Sequence, residues 1–320
     1  MMPLIVADDV APPPFETVAC YECGSRNARP FVDAQDDLTG KPGTFHFVAC
    51  RRCGLVYQNP RISIAHIRAF YDDDYIAHRK TDWGLLGGAV ARAMDRVDAA
   101  KHRIVSRYID LDPTSAVLDV GCAVGTFLQR LRRAHRCAVA GVDFKDLTGY
   151  PALDGVEFHC GLFYEALLGE GRFDLVTMWH FLEHDYDPLR SLRTARRVLA
   201  PDGRLVIEVP RLDCTTFRLF GHRWPGLQAP QHTVLFDRDH LLRFVERADL
   251  EVVEYLPYGA FPAYFYLFTG AAFHILKGRG LNLKRAVYPY VCGRIALAPL
   301  LLFERHLNLA MQTVVCRRRS

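Results

Sequence analysis

Residues 117–131 read VLDVGCAVGTFLQRL, the segment of the chain that is most informative about its fold class. An apolar run leads into Asp119, a turn of small residues follows, and a helical pattern begins near Thr126. The small residues of the turn are Gly121, Ala123 and Gly125. Such a turn lets a ligand approach the backbone at a helix N-terminus, although any strand-to-helix turn can use glycine. Asp119 would repel a phosphate and therefore favours a cationic or hydroxyl-rich ligand.

Short apolar runs alternate with helical segments as far as residue 210. The apolar runs are AVLDVG at 116–121, CAVAGVDF at 137–144, FDLVTMW at 173–179 and GRLVIEVP at 203–210. This alternation predicts a parallel α/β sheet that binds ligands at the carboxyl ends of its strands. The second run reaches Asp143, where a doubly wound fold places the acid that binds ribose hydroxyls. Asp119 and Asp143 together predict a nucleoside pocket.

The set of motifs resembles that of the class I S-adenosylmethionine (SAM) dependent methyltransferases. The similar blocks are 117–128 for the first motif, 139–144 for the second strand, 173–188 for the fourth strand and 199–210 for the fifth. The resemblance spans about residues 95–255. It implies a Rossmann-like seven-stranded α/β methyltransferase sheet, SAM as the cofactor and methyl transfer as the activity.

The resemblance also implies which residues bind SAM. They are Asp119, Gly121, Ala123, Gly125, Asp143, Phe144 and Trp179. The first four would line the methionine and ribose end, Asp143 would hold the ribose hydroxyls, and the two aromatic residues lie at strand ends. Members of the family usually carry an acid after the third strand, near the adenine amine. This chain has Gly161-Leu162 there, which leaves the adenine contacts open.

Two matched cysteine pairs precede the sheet. Cys20, Cys23, Cys50 and Cys53 form two C-x-x-C pairs, each followed directly by glycine. Two such knuckles complete a tetrahedral four-sulfur site that suits Zn²⁺, and a site closed by four cysteines is structural. The alternatives are buried cysteine pairs or a redox C-x-x-C, which would need a thioredoxin-like context. The knuckles also resemble the zinc-binding N-termini of methyltransferases from sugar and cell-surface biosynthesis.

Candidate catalytic residues follow the fourth strand and precede the sixth. Methyl transfer from a sulfonium is an in-line displacement, so the enzyme aligns the acceptor and removes its proton where needed. His232 is the preferred base, and His184 and Glu183 are further candidates. Sugar C-methyltransferases of the zinc subgroup have Tyr-His-Glu-His where this chain has APQH at 229–232. The missing glutamate favours O-methylation over abstraction of a carbon-bound proton, although the three candidates could instead serve only to cap or position loops.

The chain is expected to divide into four parts. These are a zinc-binding module (1–60), linker helices (61–110), the SAM-binding core (111–258), and an apolar helical insertion with a final strand (259–320). Prolines, His274 and Arg294 interrupt the two apolar runs within 259–303 and argue against a membrane span. The insertion is expected to be a lid over an acceptor pocket, a hairpin in peripheral contact with the membrane, or a homodimer interface. Basic residues within 277–285 would suit anionic lipid and a lipid-linked glycan acceptor.

Composition limits the remaining choices. Half of the 320 residues are hydrophobic and 24% are charged, which predicts a compact fold. The net charge of +4 is scattered along the chain and does not indicate nucleic acid as a partner. The N-terminus lacks the pattern of a cleaved signal, so a cytoplasmic location is expected, or one at the inner face of the membrane. The rival functions are a sugar C-methyltransferase, an NAD or nucleotide-sugar oxidoreductase, and a catalytically degenerate zinc-dependent interaction protein.

Overall fold

The computed structural model describes residues 14–71, 87–277, 279–301, 303 and 306–319. In chain order its strands are β1 (Phe15–Glu16), β2 (Ala28–Ala34), β3 (Phe45–Cys50), β4 (Val56–Gln58), β5 (Arg61–Ile62), β6 (Ala116–Val120), β7 (Ala138–Asp143), β8 (Glu157–Cys160), β9 (Phe173–Trp179), β10 (Leu199–Pro210), β11 (Val234–Leu235), β12 (Leu250–Leu256) and β13 (Met311–Arg318). The α-helices are α1 (Ile64–Ile67), α2 (Gly87–Val105), α3 (Thr126–His135), α4 (Pro188–Val198), α5 (Thr215–Phe220), α6 (Arg238–Arg247), α7 (Ala263–Leu276), α8 (Leu283–Ala296) and α9 (Ala298–Leu301).

The central sheet has seven strands in the order β12-β13-β10-β9-β6-β7-β8. Strands β10, β9, β6, β7 and β8 run parallel, and β13 is antiparallel to both of its neighbours. Helices cover a parallel sheet on both faces, which is why its central strands read as continuous apolar runs. Val117 and Leu118 of β6 and Leu175 and Val176 of β9 are fully buried. The predicted Rossmann-like seven-stranded sheet is confirmed.

A second, antiparallel sheet lies at the N-terminus in the order β11-β4-β3-β2. Its strands β2 and β3 form the ribbon between the cysteine pairs. Its edge strand β11 comes from the residues directly after His232, so the N-terminal segment pairs with the loop that carries the preferred base. Of the predicted linker helices, α1, a 3-10 turn over Arg68–Phe70 and α2 are described, whereas 72–86 lie outside the described residues. The domain boundaries remain a prediction.

Helices α7, α8 and α9 lie between β12 and β13 and form the expected helical insertion. Helix α7 buries Tyr264, Tyr266 and Phe273. Of the helices that the structure describes, none is both long enough and apolar enough to cross a bilayer.

Candidate active site

A cavity of about 1380 Å³ opens at the carboxyl ends of β6, β7, β8 and β9. Helix α2, the loop over residues 222–232 and the insertion helices α7 and α8 form further walls, together with residues 35–38 and 258–262. Pockets for a single small ligand usually occupy about 300 to 1000 Å³. The cavity therefore has room for two ligands side by side.

The turn after β6 has a left-handed backbone at three alternate positions. The φ angles are 73° at Gly121, 46° at Ala123 and 82° at Gly125. This conformation is costly for a residue with a Cβ, yet Ala123 adopts it while its N–H donates to Asp143 Oδ2 at 3.0 Å. The backbone of this turn therefore has the conformation expected if all three positions were glycine. Gly121 and Ala123 border the cavity, whereas Gly125 instead lies against Ala152 and Leu153.

Asp119 lies at the base of this turn and is almost completely buried. Thr177 Oγ1 donates a 2.6 Å hydrogen bond to Asp119 Oδ1. Burial raises the pKa of Asp119 to about 6, although the nearby cation Lys101 and the hydrogen bond from Thr177 oppose the rise. Asp119 is therefore mainly ionised at neutral pH and places a negative charge at the cavity wall.

Asp143 ends β7, and its carboxylate is tied to the backbone on both sides. Oδ2 accepts the Ala123 N–H, and Oδ1 accepts the Lys145 N–H at 3.0 Å. These bonds fix the carboxylate at the cavity wall. The next residue, Phe144, also borders the cavity, and its ring centroid lies 4.7 Å from that of Tyr71.

Trp179 ends β9 and also borders the cavity. Its ring lies edge-on to Phe127, with centroids 5.7 Å apart. Its indole Nε1 is buried and has no hydrogen-bond acceptor within the described residues. An unpaired buried donor is costly, so a ligand that supplied an acceptor here would be stabilised.

His232 is 2% exposed and borders the cavity. Its Nδ1 lies 2.8 Å from the Gly226 carbonyl oxygen. Because a carbonyl oxygen only accepts hydrogen bonds, the proton is assigned to Nδ1, which leaves a lone pair on Nε2. Burial, reinforced by the neighbouring His184, holds the pKa of His232 well below its usual value. The imidazole is therefore neutral at pH 7.

His184 packs against this base, with the two ring centroids 4.4 Å apart and the planes nearly perpendicular. Its Nδ1 lies 2.9 Å from Tyr71 Oη and 3.1 Å from the Gln231 carbonyl oxygen. His184 also borders the cavity. The loop after β9 and the loop before β11 thus bring all three candidates together, because one nitrogen or oxygen atom each of Glu183, His184 and His232 lies within 4.8 Å of the others.

Glu183 is 1% exposed and does not border the cavity. Its Oε1 lies 3.3 Å from His180 Nδ1, and Glu208 Oε1 lies 3.3 Å from His180 Nε2. Burial lowers the pKa of His180, but the two carboxylates outweigh burial and raise it to about 9. Glu183 is therefore held in an ion pair behind the wall, which favours a positioning role over direct contact with an acceptor.

The four predicted cysteine ligands converge. The Sγ atoms of Cys20 and Cys53 are 3.5 Å apart, as are those of Cys23 and Cys50, and all four lie within 4.8 Å of one another. Four sulfurs at about 2.3 Å from a zinc ion would be separated by about 3.8 Å, so the cluster has suitable dimensions.

Several residues of the site were not foreseen, because their partners are distant in sequence. They are Lys101, Thr177, Glu208 and Tyr71. Lys101 lies between Val97 and Ile104 on one face of α2. A cation at a position where the helical period predicts an apolar residue could have indicated a functional role. Thr177 and Glu208 lie inside apolar strand runs, where a polar residue likewise marks a special position. No comparable signal marks Tyr71.

Comparison with known proteins agrees with this architecture. The sequence model of a family described as a methyltransferase domain matches residues 91–255, slightly more than half of the chain. The solved structure of geranyl diphosphate C-methyltransferase from Streptomyces coelicolor A3(2) superposes with a TM-score of 0.51 at 12% identity, covering 76% of this chain and 89% of that one. Similarity at this identity shows the fold alone.

Curated relatives match over shorter segments. The chain is 34% identical over 129 residues to an uncharacterized 37.1 kDa protein of transposon TN4556 from Streptomyces fradiae, covering 37% of each chain. It is 34% identical over 111 residues to ubiquinone biosynthesis O-methyltransferase from Xanthomonas oryzae pv. oryzae, covering 32% of this chain and 46% of that protein. The chain therefore spans less than half the length of these relatives.

Proposed function

Because the chain belongs to the methyltransferase-domain family, we propose that it transfers the methyl group of SAM to a hydroxyl group of a small-molecule acceptor, with His232 as the base. The observation that carries the proposal is the neutral His232 imidazole, whose Nε2 lone pair is available in the same cavity as Asp119 and Asp143. Family membership favours methyl transfer over the rival oxidoreductase.

The residues at the strand ends fit SAM. Asp143 would accept hydrogen bonds from the ribose hydroxyls, and the left-handed turn at Gly121 and Ala123 would let the cofactor approach the backbone. The anionic Asp119 would lie on the side of the methionine ammonium and the sulfonium, where a negative charge is favourable. SAM supplies an electrophilic methyl group on a positively charged sulfur, and these residues would hold it in place.

Oxygen is the acceptor atom that His232 favours. A base with a depressed pKa removes a proton from a hydroxyl group far more readily than from carbon. About a third of the chain is similar to ubiquinone biosynthesis O-methyltransferase, which also favours oxygen as the acceptor atom. The rival interpretation as a degenerate protein is weakened because Ala123 keeps the left-handed backbone that the turn requires.

Transfer itself can be tested with methyl-labelled SAM and hydroxylated acceptors of different classes, including phenols, free sugars and nucleotide sugars. The proposal expects acceptor-dependent release of S-adenosylhomocysteine and a label on oxygen in the product. A product methylated on carbon would establish the sugar C-methyltransferase alternative instead.

SAM binding is expected to weaken in mild acid. Protonation of Asp119, with its pKa raised to about 6, removes the negative charge near the cationic cofactor. SAM affinity should therefore fall about tenfold for each pH unit below 6. Calorimetric titrations between pH 5 and pH 8 would measure this change.

Two variants separate Asp119 from other groups that titrate in this range. Asp119→Asn should bind SAM weakly with little pH dependence. Thr177→Val removes the hydrogen bond that stabilises the carboxylate, so the midpoint should move to higher pH. If Asp119→Asn kept the pH dependence of SAM affinity seen in the wild type, the titrating group would be a residue other than Asp119.

We further propose that Cys20, Cys23, Cys50 and Cys53 hold a structural Zn²⁺. The N–H groups of Gly24 and Gly54 donate to the carbonyl oxygens of Cys20 and Cys50, so each knuckle is closed by a backbone hydrogen bond. Because four thiolates leave no open coordination position, the ion would stabilise the fold and take no part in methyl transfer.

Removing this ion is expected to lower the melting temperature by several degrees. The purified protein should contain about one zinc per chain, and Cys23→Ser should lose it. Metal analysis and thermal melts with and without a chelator would measure both effects. Cys160→Ser is the matched control, because Cys160 is an exposed cysteine outside the cluster. Zinc-free protein with an unchanged melting temperature would contradict the assignment.

A further inference from the structure

The cavity is larger than a single small ligand usually needs, and part of its wall is aromatic. Neighbouring aromatic rings form a row that starts at His180. The ring centroid of His180 lies 5.1 Å from that of Phe261, and the centroid of Phe261 lies 5.2 Å from that of Phe265. The next ring is that of Tyr290, whose centroid lies 6.4 Å from that of Phe265. Tyr290 is in turn 5.2 Å from Phe268. We call the space bordered by these rings between α7 and α8 the aromatic chamber.

The rings of the aromatic chamber are incompletely covered by protein. Phe261, Phe265, Phe268 and Tyr290 are each only half-buried, and all four border the cavity. Covering apolar surface is favourable by about 25 cal/mol for each Å² removed from water. An apolar molecule that covered these rings would therefore be bound more stably as more of its surface left water.

Polar groups suited to a glycan are scarce in the chamber. The hydroxyl of Thr269 already donates to the Phe265 carbonyl oxygen at 2.5 Å. Of the described residues of α7 and α8 that border the cavity, Arg294 alone carries a formal charge. Elsewhere the cavity is bordered by Asp36 and Asp37, the latter paired with Arg223, and by cations on or just after α2. These cations are Arg96, Lys101, Arg103 and Arg107, and they lie outside the chamber. A sugar needs several hydrogen-bond partners when buried, and a nucleotide sugar needs cations as well.

We infer that the acceptor is a hydroxylated aromatic molecule with an apolar body, which lies in the aromatic chamber while its hydroxyl group reaches His232. This inference rests on the proposed function and names the acceptor class of the same site. It gives the helical insertion the role of a lid over the acceptor. In the reaction the hydroxyl proton passes to His232 Nε2, the oxygen attacks the methyl carbon, and the carbon–sulfur bond breaks to leave neutral S-adenosylhomocysteine.

The acceptor class is tested by binding, separately from turnover. The full chain, saturated with S-adenosylhomocysteine, is titrated with 2-naphthol and with methyl β-glucoside by calorimetry. We expect 2-naphthol to bind at least about tenfold more tightly than the glucoside, which corresponds to about 1.4 kcal/mol. Tighter binding of the glucoside would overturn the inference.

Matched variants locate the binding. Phe265→Asp places a charge inside the chamber and should weaken 2-naphthol binding about tenfold or more, because a charge is poorly solvated among aromatic rings. Ile275→Asp is the control on the same helix, since Ile275 is 80% exposed and does not border the cavity. It should leave the affinity unchanged. If Phe265→Asp does not fold, Tyr290→Ala replaces it, with weaker binding expected.

The outcomes separate this inference from the proposed function. SAM affinity should be the same in Phe265→Asp, Ile275→Asp and the wild type. Normal SAM binding with 2-naphthol affinity that Phe265→Asp does not change would overturn the acceptor class alone. Loss of 2-naphthol binding in Ile275→Asp instead would place the probe on the outer surface and would also overturn it. Failure of the wild type to bind SAM would overturn the proposed function itself.

Discussion

Replacing His232 with alanine is expected to lower kcat about 10²- to 10⁴-fold, the usual contribution of a general base. His232 is the buried imidazole whose Nδ1 is engaged by the Gly226 carbonyl oxygen, so its Nε2 is the atom available to accept the acceptor proton. SAM affinity should change by no more than about twofold, because the cofactor residues lie at the strand ends. Steady-state turnover at saturating SAM, with a calorimetric SAM titration, would measure both quantities.

The pH profile distinguishes a base from a residue that only supports the loop. In the wild type, kcat at saturating SAM should rise with pH as His232 loses its proton, with a midpoint below the ordinary histidine value. His184→Ala should retain this rise but move it to higher pH, because His184 contributes to the depressed pKa. His232→Ala should lose the rise, and added imidazole should restore part of the activity. A retained rise in His232→Ala would remove this residue from proton transfer.

Replacing Asp143 with alanine is expected to weaken SAM binding about 100-fold or more, since hydrogen bonds to a charged group contribute about 1.5 to 3 kcal/mol each. The carboxylate is fixed by the N–H groups of Ala123 and Lys145, so its orientation toward a ribose requires no rearrangement. Calorimetric titration with SAM would give the ratio of dissociation constants.

Asp143 also orders the turn, so a structural effect has to be separated from a binding effect. Asp146→Ala is the matched control, because Asp146 is an exposed aspartate of the same loop whose carboxylate accepts hydrogen bonds from Thr148. It should bind SAM as the wild type does. Asp143→Asn keeps the size of the side chain and should also bind SAM weakly, with a melting temperature near that of the wild type. Undiminished SAM affinity in Asp143→Asn would show that the carboxylate does not hold the ribose.

The sheet could be predicted because its signal is local. Each central strand is a continuous apolar run, and each turn that follows it carries small or acidic residues at fixed spacing. The sequence pattern therefore predicts that Asp119 and Asp143 lie at adjacent strand ends. The cysteine pairs were predictable for the same reason, since each knuckle is complete within five residues.

The interior of the site could not be predicted in this way, because it depends on contacts between distant segments. Tyr71 reaches His184, and β11 joins the N-terminal sheet, although neither pairing leaves a periodic pattern. Ala123 carries a Cβ, yet its backbone adopts the left-handed conformation that is usual for glycine. Glu183 is a candidate from its place after β9, but its buried ion pair with His180, which also contacts Glu208, leaves no sequence pattern. Gly125 packs under Leu153 and does not border the cavity.

The central claim is that the cavity at the strand ends is a SAM site. Calorimetric titration of the purified, zinc-replete full chain with SAM and, separately, with NAD tests it most directly. We predict saturable binding of about one SAM per chain in the micromolar range and no measurable binding of NAD. Binding of NAD, or failure to bind SAM in protein whose fold is intact, would contradict the assignment of this cavity to SAM.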